Sequence, residues 1–124
     1  MGTAVFQKID ECVPVDQLVA TGMENKSNFN NALFGAGTFK RGQLVKLTKG
    51  VASAYDPAAT FAAGERFAIV KDGFEVKGDS NEKHLVYVTG SFYRDTVEEI
   101  AGKTVSLADE LEMNAEGIYF NMHL

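Results

Sequence analysis

The chain has 124 residues, of which 45% are hydrophobic and 23% charged, and its formal net charge is −5 at pH 7. These values are typical of a single soluble globular domain, and the single cysteine, Cys12, excludes an internal disulfide. No apolar run approaches the roughly 20 residues that cross a bilayer, and the start lacks the pattern of a secretory signal, so we expect no membrane partner.

Residues 1–38 differ in composition from the rest. Residues 21–38 are rich in Gly, Asn and Ser, with isolated apolar residues and neither the helical nor the strand period. Near the start, Pro14 between Val13 and Val15 permits an edge strand but not a central one. We therefore predict an arm over residues 1–34, ordered by a partner, and a β-rich body over residues 35–124.

Short strands follow in the body. The pattern predicts strands over residues 43–48, 51–55, 66–71, 74–77 and 84–92, with Asp72 and Gly73 forming a tight hairpin turn. The final residues alternate strictly, so a last strand is expected to direct one set of side chains inward. That set is Ile118, Phe120, Met122 and Leu124.

Two short helices are predicted before the last strand. Residues 95–98 have capping-box spacing, and Gly102 ends that helix. Ser106 opens the second helix, with Leu107, Ala108 and Leu111 expected to face inward. The fold class that follows is α+β: a small β-rich domain of short strands with two short helices and an irregular N-terminal arm.

Few residues suggest chemistry. His84 and His123 are too far apart in sequence for a metal-ligand motif, and Cys12 has no cysteine partner. Gly35 and Gly37 precede a strand, whereas a phosphate loop follows one. The second helix carries four acidic residues that are expected to lie mostly on its solvent side: Asp109, Glu110, Glu112 and Glu116. We predict no catalytic residue, metal or cofactor.

Charge is unevenly distributed along the chain. Residues 1–50 carry six basic and four acidic side chains, a net charge of +2, so the remainder carries −7. No acid occurs from Asn25 to Tyr55, but the five basic residues there are spread too thinly for a nucleic-acid site. A solvated basic face is favoured, and nucleic acid is not expected as a partner.

Three phenylalanines recur every five residues near the end of the arm: Phe29, Phe34 and Phe39. This spacing matches neither regular period. They either pack the arm back onto the body or anchor the chain on another protein. We assign all three to packing of the arm against the body, and the pattern as a whole favours interaction over catalysis.

Five segments, taken in order, resemble the head decoration (capsid cement) proteins of lambda-like tailed bacteriophages. The similarity covers about residues 35–122. The segments are residues 37–45 (GTFKRGQLV), 54–59 (AYDPAA), 68–72 (AIVKD), 86–92 (VYVTGSF) and 116–120 (EGIYF).

The resemblance implies a non-enzymatic virion protein that binds the outer surface of the expanded head as a homotrimer and stabilises it. Its partner would be the major capsid protein, and it would reside in the host cytoplasm during assembly. The arm would join capsid strands by strand addition. By position, we predict five apolar arm residues as capsid contacts: Phe6, Ile9, Val13, Val15 and Leu18.

Two alternatives stay open. One is another structural virion component, such as a head fibre base or a tail-associated protein. The other is a small enzyme or ligand-binding barrel that uses His84 or His123.

Overall fold

The computed structural model describes residues 18–20, 27–59 and 61–121. Eight strands and two helices occur there. The strands are β1 (Asn28–Phe34), β2 (Gly37–Phe39), β3 (Leu44–Thr48), β4 (Val51–Ala54), β5 (Glu65–Val70), β6 (Phe74–Val76), β7 (Glu82–Tyr93) and β8 (Ile118–Asn121). The helices, α1 (Arg94–Ala101) and α2 (Leu107–Glu116), separate β7 from β8. The predicted fold class, a small β-rich α+β domain, is confirmed.

Five strands close into a small barrel. The sheet order is β1-β4-β3-β5-β7-β8, and β1 also pairs with β7, so β1, β4, β3, β5 and β7 form a ring. The β1–β7 pairing is antiparallel and runs the length of β1, whereas β1 meets β4 in parallel at Leu33 and Val51. The last strand, β8, extends the sheet by pairing in parallel with the end of β7.

The side chains divide into two cores, one inside the barrel and one between its outer face and the helices. Strand β5 supplies both, because successive side chains point to opposite faces of a strand. Ala68 and Val70 enter the interior core with Phe34 and Val86. Phe67 and Ile69 enter the outer core, where helix residues such as Val97 and Met113 cover them. This double burial explains why β5 reads as a continuous apolar run.

Residues 28–34 belong to the body and not to an irregular arm. They form β1, and this part of the arm prediction is wrong. Phe34 points into the barrel, whereas Phe29 and Leu33 point outward. Because β1 places apolar side chains on both faces and asparagines between them, the polar–apolar alternation that marks a strand is missing. The rest of the predicted arm, residues 1–17 and 21–26, lies outside the described residues.

The hairpin predicted at Asp72 and Gly73 is also wrong. Strand β6 pairs with β2 in a separate two-stranded sheet, with Phe74 opposite Phe39. Gly73 does not adopt positive φ, which a type I′ hairpin turn requires at both central residues. Instead, the chain leaves β5 and brings Phe74 to the aromatic cluster at one end of the barrel.

Helix α1 starts without the predicted capping box. Strand β7 runs directly into the helix, so the N-cap is Tyr93, which has no side-chain cap, and Asp95 lies in the first turn. Glu98 instead accepts a hydrogen bond from the Val105 amide, at 2.8 Å, and holds the α1–α2 loop. Gly102 ends α1 in a left-handed conformation, as predicted. Within the described residues, no helix is long and apolar enough to cross a membrane.

Helix α2 begins at the predicted residue but is rotated from its predicted orientation. Ser106 caps it by accepting a hydrogen bond from the Asp109 amide. Asp109 and Met113 are its buried residues, whereas Leu107 and Leu111 are 72% and 59% exposed and Ala108 is also exposed. The prediction that Leu107, Ala108 and Leu111 face inward is therefore wrong.

The C-terminal alternation is confirmed as far as the structure describes it. Ile118 is buried and Phe120 packs against the outer core, whereas Tyr119 is half exposed. Met122 and Leu124 lie outside the described residues.

Candidate functional site

The predicted capsid contacts fall into two groups. Phe6, Ile9, Val13 and Val15 lie outside the described residues. Leu18 is described, and it is only 3% exposed because it packs in the outer core. Leu18 is therefore unavailable to a partner, and its assignment as a capsid contact is wrong.

Residues 18–20 fix the point at which the chain enters the body. Val19 forms an antiparallel bridge with Phe92 near the end of β7. Tyr93 donates a backbone hydrogen bond to Leu18, at 2.8 Å, and Ala20 donates one to Ser91, at 2.9 Å. These contacts occupy one edge of β7 while β8 pairs with the other edge. Residues 1–17 therefore lead into a fixed place at the end of β7.

The three arm phenylalanines lie in different surroundings. Phe34 is completely buried, and its ring centre is 4.8 Å from those of both Phe39 and Phe74. His84 stacks on Phe74 with ring centres 3.6 Å apart, so this histidine belongs to the aromatic cluster. Phe29 contacts Tyr87 but is 49% exposed. Phe34 and Phe39 thus close one end of the barrel, while Phe29 lies at the surface.

The most connected polar group joins the end of β4 to α2. The Tyr55 hydroxyl donates to Asp109 at 2.6 Å and accepts from the Ser106 amide at 3.2 Å. Burial, and then the hydrogen bond to Asp109, raise the pKa of the Tyr55 phenol, so it stays a donor at neutral pH. These hydrogen bonds hold the start of α2 against the barrel.

A cavity of about 270 Å³ lies beside this polar group. Lys46, Ser53, Phe61 and Phe67 line it together with Tyr55 and Asp109. The amine of Lys46 is 3.3 Å from Glu65, and Phe61 stacks on Phe67 with ring centres 4.9 Å apart. The cavity offers hydrogen-bonding groups and aromatic surface, and the Ser53 hydroxyl in its lining donates to the backbone oxygen of Lys46, at 3.4 Å.

Replacing Tyr55 with Phe tests the polar group. We expect Tyr55→Phe to lower the free energy of unfolding by about 2 kcal/mol, because the nearly buried Asp109 carboxylate loses a donor. Urea denaturation followed by circular dichroism measures this loss. Asp109→Asn is the matched control: its amide oxygen still accepts from Tyr55, so its loss should be smaller. An equal or larger loss for the control would contradict the assigned roles.

Three of the four acidic residues of α2 bind groups within the body, contrary to the prediction that they lie mostly on the solvent side. Glu116 accepts a hydrogen bond from the Phe67 amide at 2.9 Å, and burial raises the pKa of its carboxyl group. Glu110 pairs with Arg94 of α1. Asp109 accepts the hydrogen bond from Tyr55, so Glu112 is the one acidic residue of α2 that lies on the solvent side as expected.

Sequence reasoning missed the apolar surface that this orientation creates. An apolar stripe on α2, formed by Leu107, Ala108, Leu111 and Ala115, has the spacing of a buried helix face. Only the contacts that α2 makes with Tyr55, Phe67 and Arg94 show that the opposite face is inward. One signal was present: Met113, the only large apolar residue of α2 outside the stripe, is completely buried.

Among the described residues, no group of three or more His, Cys, Asp or Glu side chains is placed to hold a metal ion. Comparison with protein-family models, with curated proteins and with solved structures finds no match for the chain. The resemblance to phage decoration proteins therefore stays a prediction.

Proposed function

We propose that this chain is a bacteriophage capsid decoration protein, which binds the outer surface of the expanded head as a trimer and stabilises it. The observation that carries the proposal is the order of the five segments that resemble this family. They fall on β2 with the start of β3, the end of β4, the end of β5, β7, and β8. The resemblance thus covers parts of four of the five barrel strands, β3, β4, β5 and β7, but not β1.

The entry point of the chain supports a role for residues 1–17 in binding. Leu18–Ala20 are fixed by backbone bonds to β7, so a segment before them would be tethered to a rigid body. Extended segments bind by adding backbone hydrogen bonds to a strand of the partner. Several tethered segments in one oligomer would add avidity, so contacts of modest strength could hold the body on a capsid.

The described surface also suits a protein partner. Six large apolar side chains are exposed, and five of them belong to two surfaces, one on α2 and one on the outer face of β1 and its neighbours. Exposed apolar groups that cluster in this way are typical of interaction sites. The virion outer surface, where such a protein is assembled from the host cytoplasm, is the proposed location.

The test compares the full chain with a variant lacking residues 1–17, on expanded heads assembled without decoration protein from the major capsid protein encoded with this chain. We expect the full chain to sediment with the heads and raise the temperature at which they break open. The truncation should weaken binding at least tenfold, because the body keeps its fold but loses the tethered segment.

Phe6→Ala with Ile9→Ala in the full chain is the matched variant, since it removes two predicted contacts and keeps the length. Failure of the full chain to bind such heads would refute the proposal. Unchanged binding by the truncation would refute the role of residues 1–17. Electron cryomicroscopy separates the runner-up, a fibre-base or tail-associated protein, by finding the chain at a vertex or tail.

A further inference from the structure

The first of two complementary surfaces is the outward face of α2, which we call the helix stripe: Leu107, Ala108, Leu111 and Ala115. Leu107, Leu111 and Ala115 follow one another at four-residue spacing, so they line one face of the helix. All four are exposed. Full burial of a leucine side chain contributes about 2 kcal/mol to stability, so covering this face with another surface would be favourable.

The stripe cannot turn inward, because polar contacts fix the rotation of α2. Asp109 is held by Tyr55, Glu116 by the Phe67 amide and Glu110 by Arg94. These three anchors span the helix from its first turn to its last residue. Rotating the leucines inward would break all three contacts and leave carboxylates without partners, so the stripe stays available to another surface.

The second surface is the outer face of the barrel around β1, which we call the outer β1 face: Phe29, Leu33, Val51, Lys83 and Leu85. Phe29 and Leu33 point outward from β1, Val51 is opposite Leu33 on β4, and Lys83 and Leu85 lie opposite on β7. The two helices cover the barrel elsewhere, over β3, β5 and the end of β7. Phe29, Leu85 and Val51 are 49%, 43% and 39% exposed.

The two surfaces carry opposite charge. Helix α2 contains four acidic and no basic residues, and Glu112 borders the stripe. Lys83 belongs to the outer β1 face, and the amine of Lys71 lies 5.2 Å from the centre of the Phe29 ring. Asp72 pairs with Lys71 and lines one pocket with Lys83 and Leu85, so two basic residues and one acidic residue lie at this face, which keeps a net positive charge. Within residues 27–59 and 61–121, neither Glu112 nor Lys83 forms an ion pair with another side chain.

This charge distribution decides which contact between copies is favourable. Two helix stripes packed against each other would bring the Glu112 carboxylates of both copies together, and like charges at close range are unfavourable. A helix stripe packed against an outer β1 face joins apolar to apolar and acid to base. The favourable contact is therefore between two different surfaces of the same chain.

We propose that the chain self-associates by docking the helix stripe of one copy onto the outer β1 face of a second copy. Such a contact uses different patches on the two partners, so it leaves one free surface of each kind and closes only as a ring. The inference rests on the self-association in the proposed function, but not on capsid binding.

The test uses two full-length variants whose substitutions keep the local structural preference. Leu107→Gln with Leu111→Gln disables the stripe while retaining good helix formers. Phe29→Thr disables the outer β1 face and retains a good strand former. We expect analytical ultracentrifugation to find the natural chain as an oligomer, and each variant alone as a monomer with at least a tenfold higher dissociation constant.

Mixing the two variants is the decisive step. The Phe29→Thr chain keeps its stripe and the double-Gln chain keeps its outer β1 face, so the mixture should form one-to-one dimers and nothing larger. Tyr119→Thr, at an exposed aromatic residue outside both surfaces, should assemble like the natural chain. Circular dichroism confirms that each variant is folded.

Three results would overturn the inference: a monomeric natural chain, variants that assemble normally, or a mixture that stays monomeric. The first also removes a trimer formed before head binding from the proposed function. The second and third leave the trimer standing with another interface. None of the three bears on head binding, which the truncation of residues 1–17 tests by itself.

Discussion

Removal of residues 1–20 is expected to destabilise the body severely, whereas removal of residues 1–17 is expected to leave it folded. The three additional residues are Leu18, Val19 and Ala20, which are 3%, 3% and 2% exposed. Losing a buried leucine and valine uncovers part of the outer core, and the two backbone hydrogen bonds between these residues and β7 are lost as well. The expected loss is about 5 kcal/mol, similar to the entire stability of many small domains.

Thermal unfolding of the two truncations, followed by circular dichroism, measures this difference. The full chain carrying Leu18→Ala is the control, since it removes only the packing of one side chain and should lose about 3 kcal/mol. Equal melting temperatures for the two truncations would show that residues 18–20 do not support the body.

Phe34→Ala is expected to reduce the free energy of unfolding by about 4 kcal/mol, because truncating a buried aromatic ring leaves a cavity in the core. The ring is completely buried in the barrel interior and makes edge contacts with both Phe39 and Phe74. Removing it takes away the centre of the aromatic cluster at one end of the barrel.

Chemical denaturation of the natural chain and of Phe34→Ala measures the loss. Phe34→Leu refills most of the volume and should recover roughly half of it, because only the aromatic edge contacts are lost. Phe29→Ala, at a half-exposed ring of the same strand, should cost less than either. A loss for Phe34→Ala no greater than that for Phe29→Ala would contradict the assignment.

The order of the elements could largely be predicted from the sequence, because strand and helix periods are local. Strands close to β3, β4, β5, β7 and β8 were expected, as was Gly102 at the end of α1. Which strands pair with each other could not be predicted in the same way, since pairing depends on residues far apart in the chain. Phe74 leaves its expected hairpin because the rings of Phe34 and Phe39, much earlier in the chain, give it a better place to pack.

The candidate surfaces were harder to predict, because burial depends on tertiary contacts that local patterns do not contain. An apolar stripe on a helix usually faces the core. On α2, however, three carboxylates face the body, because they bind Tyr55, the Phe67 amide and Arg94. Leu18 shows the opposite error. It was placed in the arm by its position, whereas it is a core residue.

Strand β7 joins parts of the chain that are synthesised far apart. It pairs with β1, β5 and β8 and also holds residues 18–20, which lie far earlier in the sequence. Neither the barrel nor the outer core can close before β7 has left the ribosome, so the first half of the nascent chain must wait with its apolar residues uncovered. Closure of such distant pairs makes folding slow compared with that of a helical domain of equal length. Apolar residues and strand edges that stay uncovered during this interval are the parts of a folding chain most prone to aggregation.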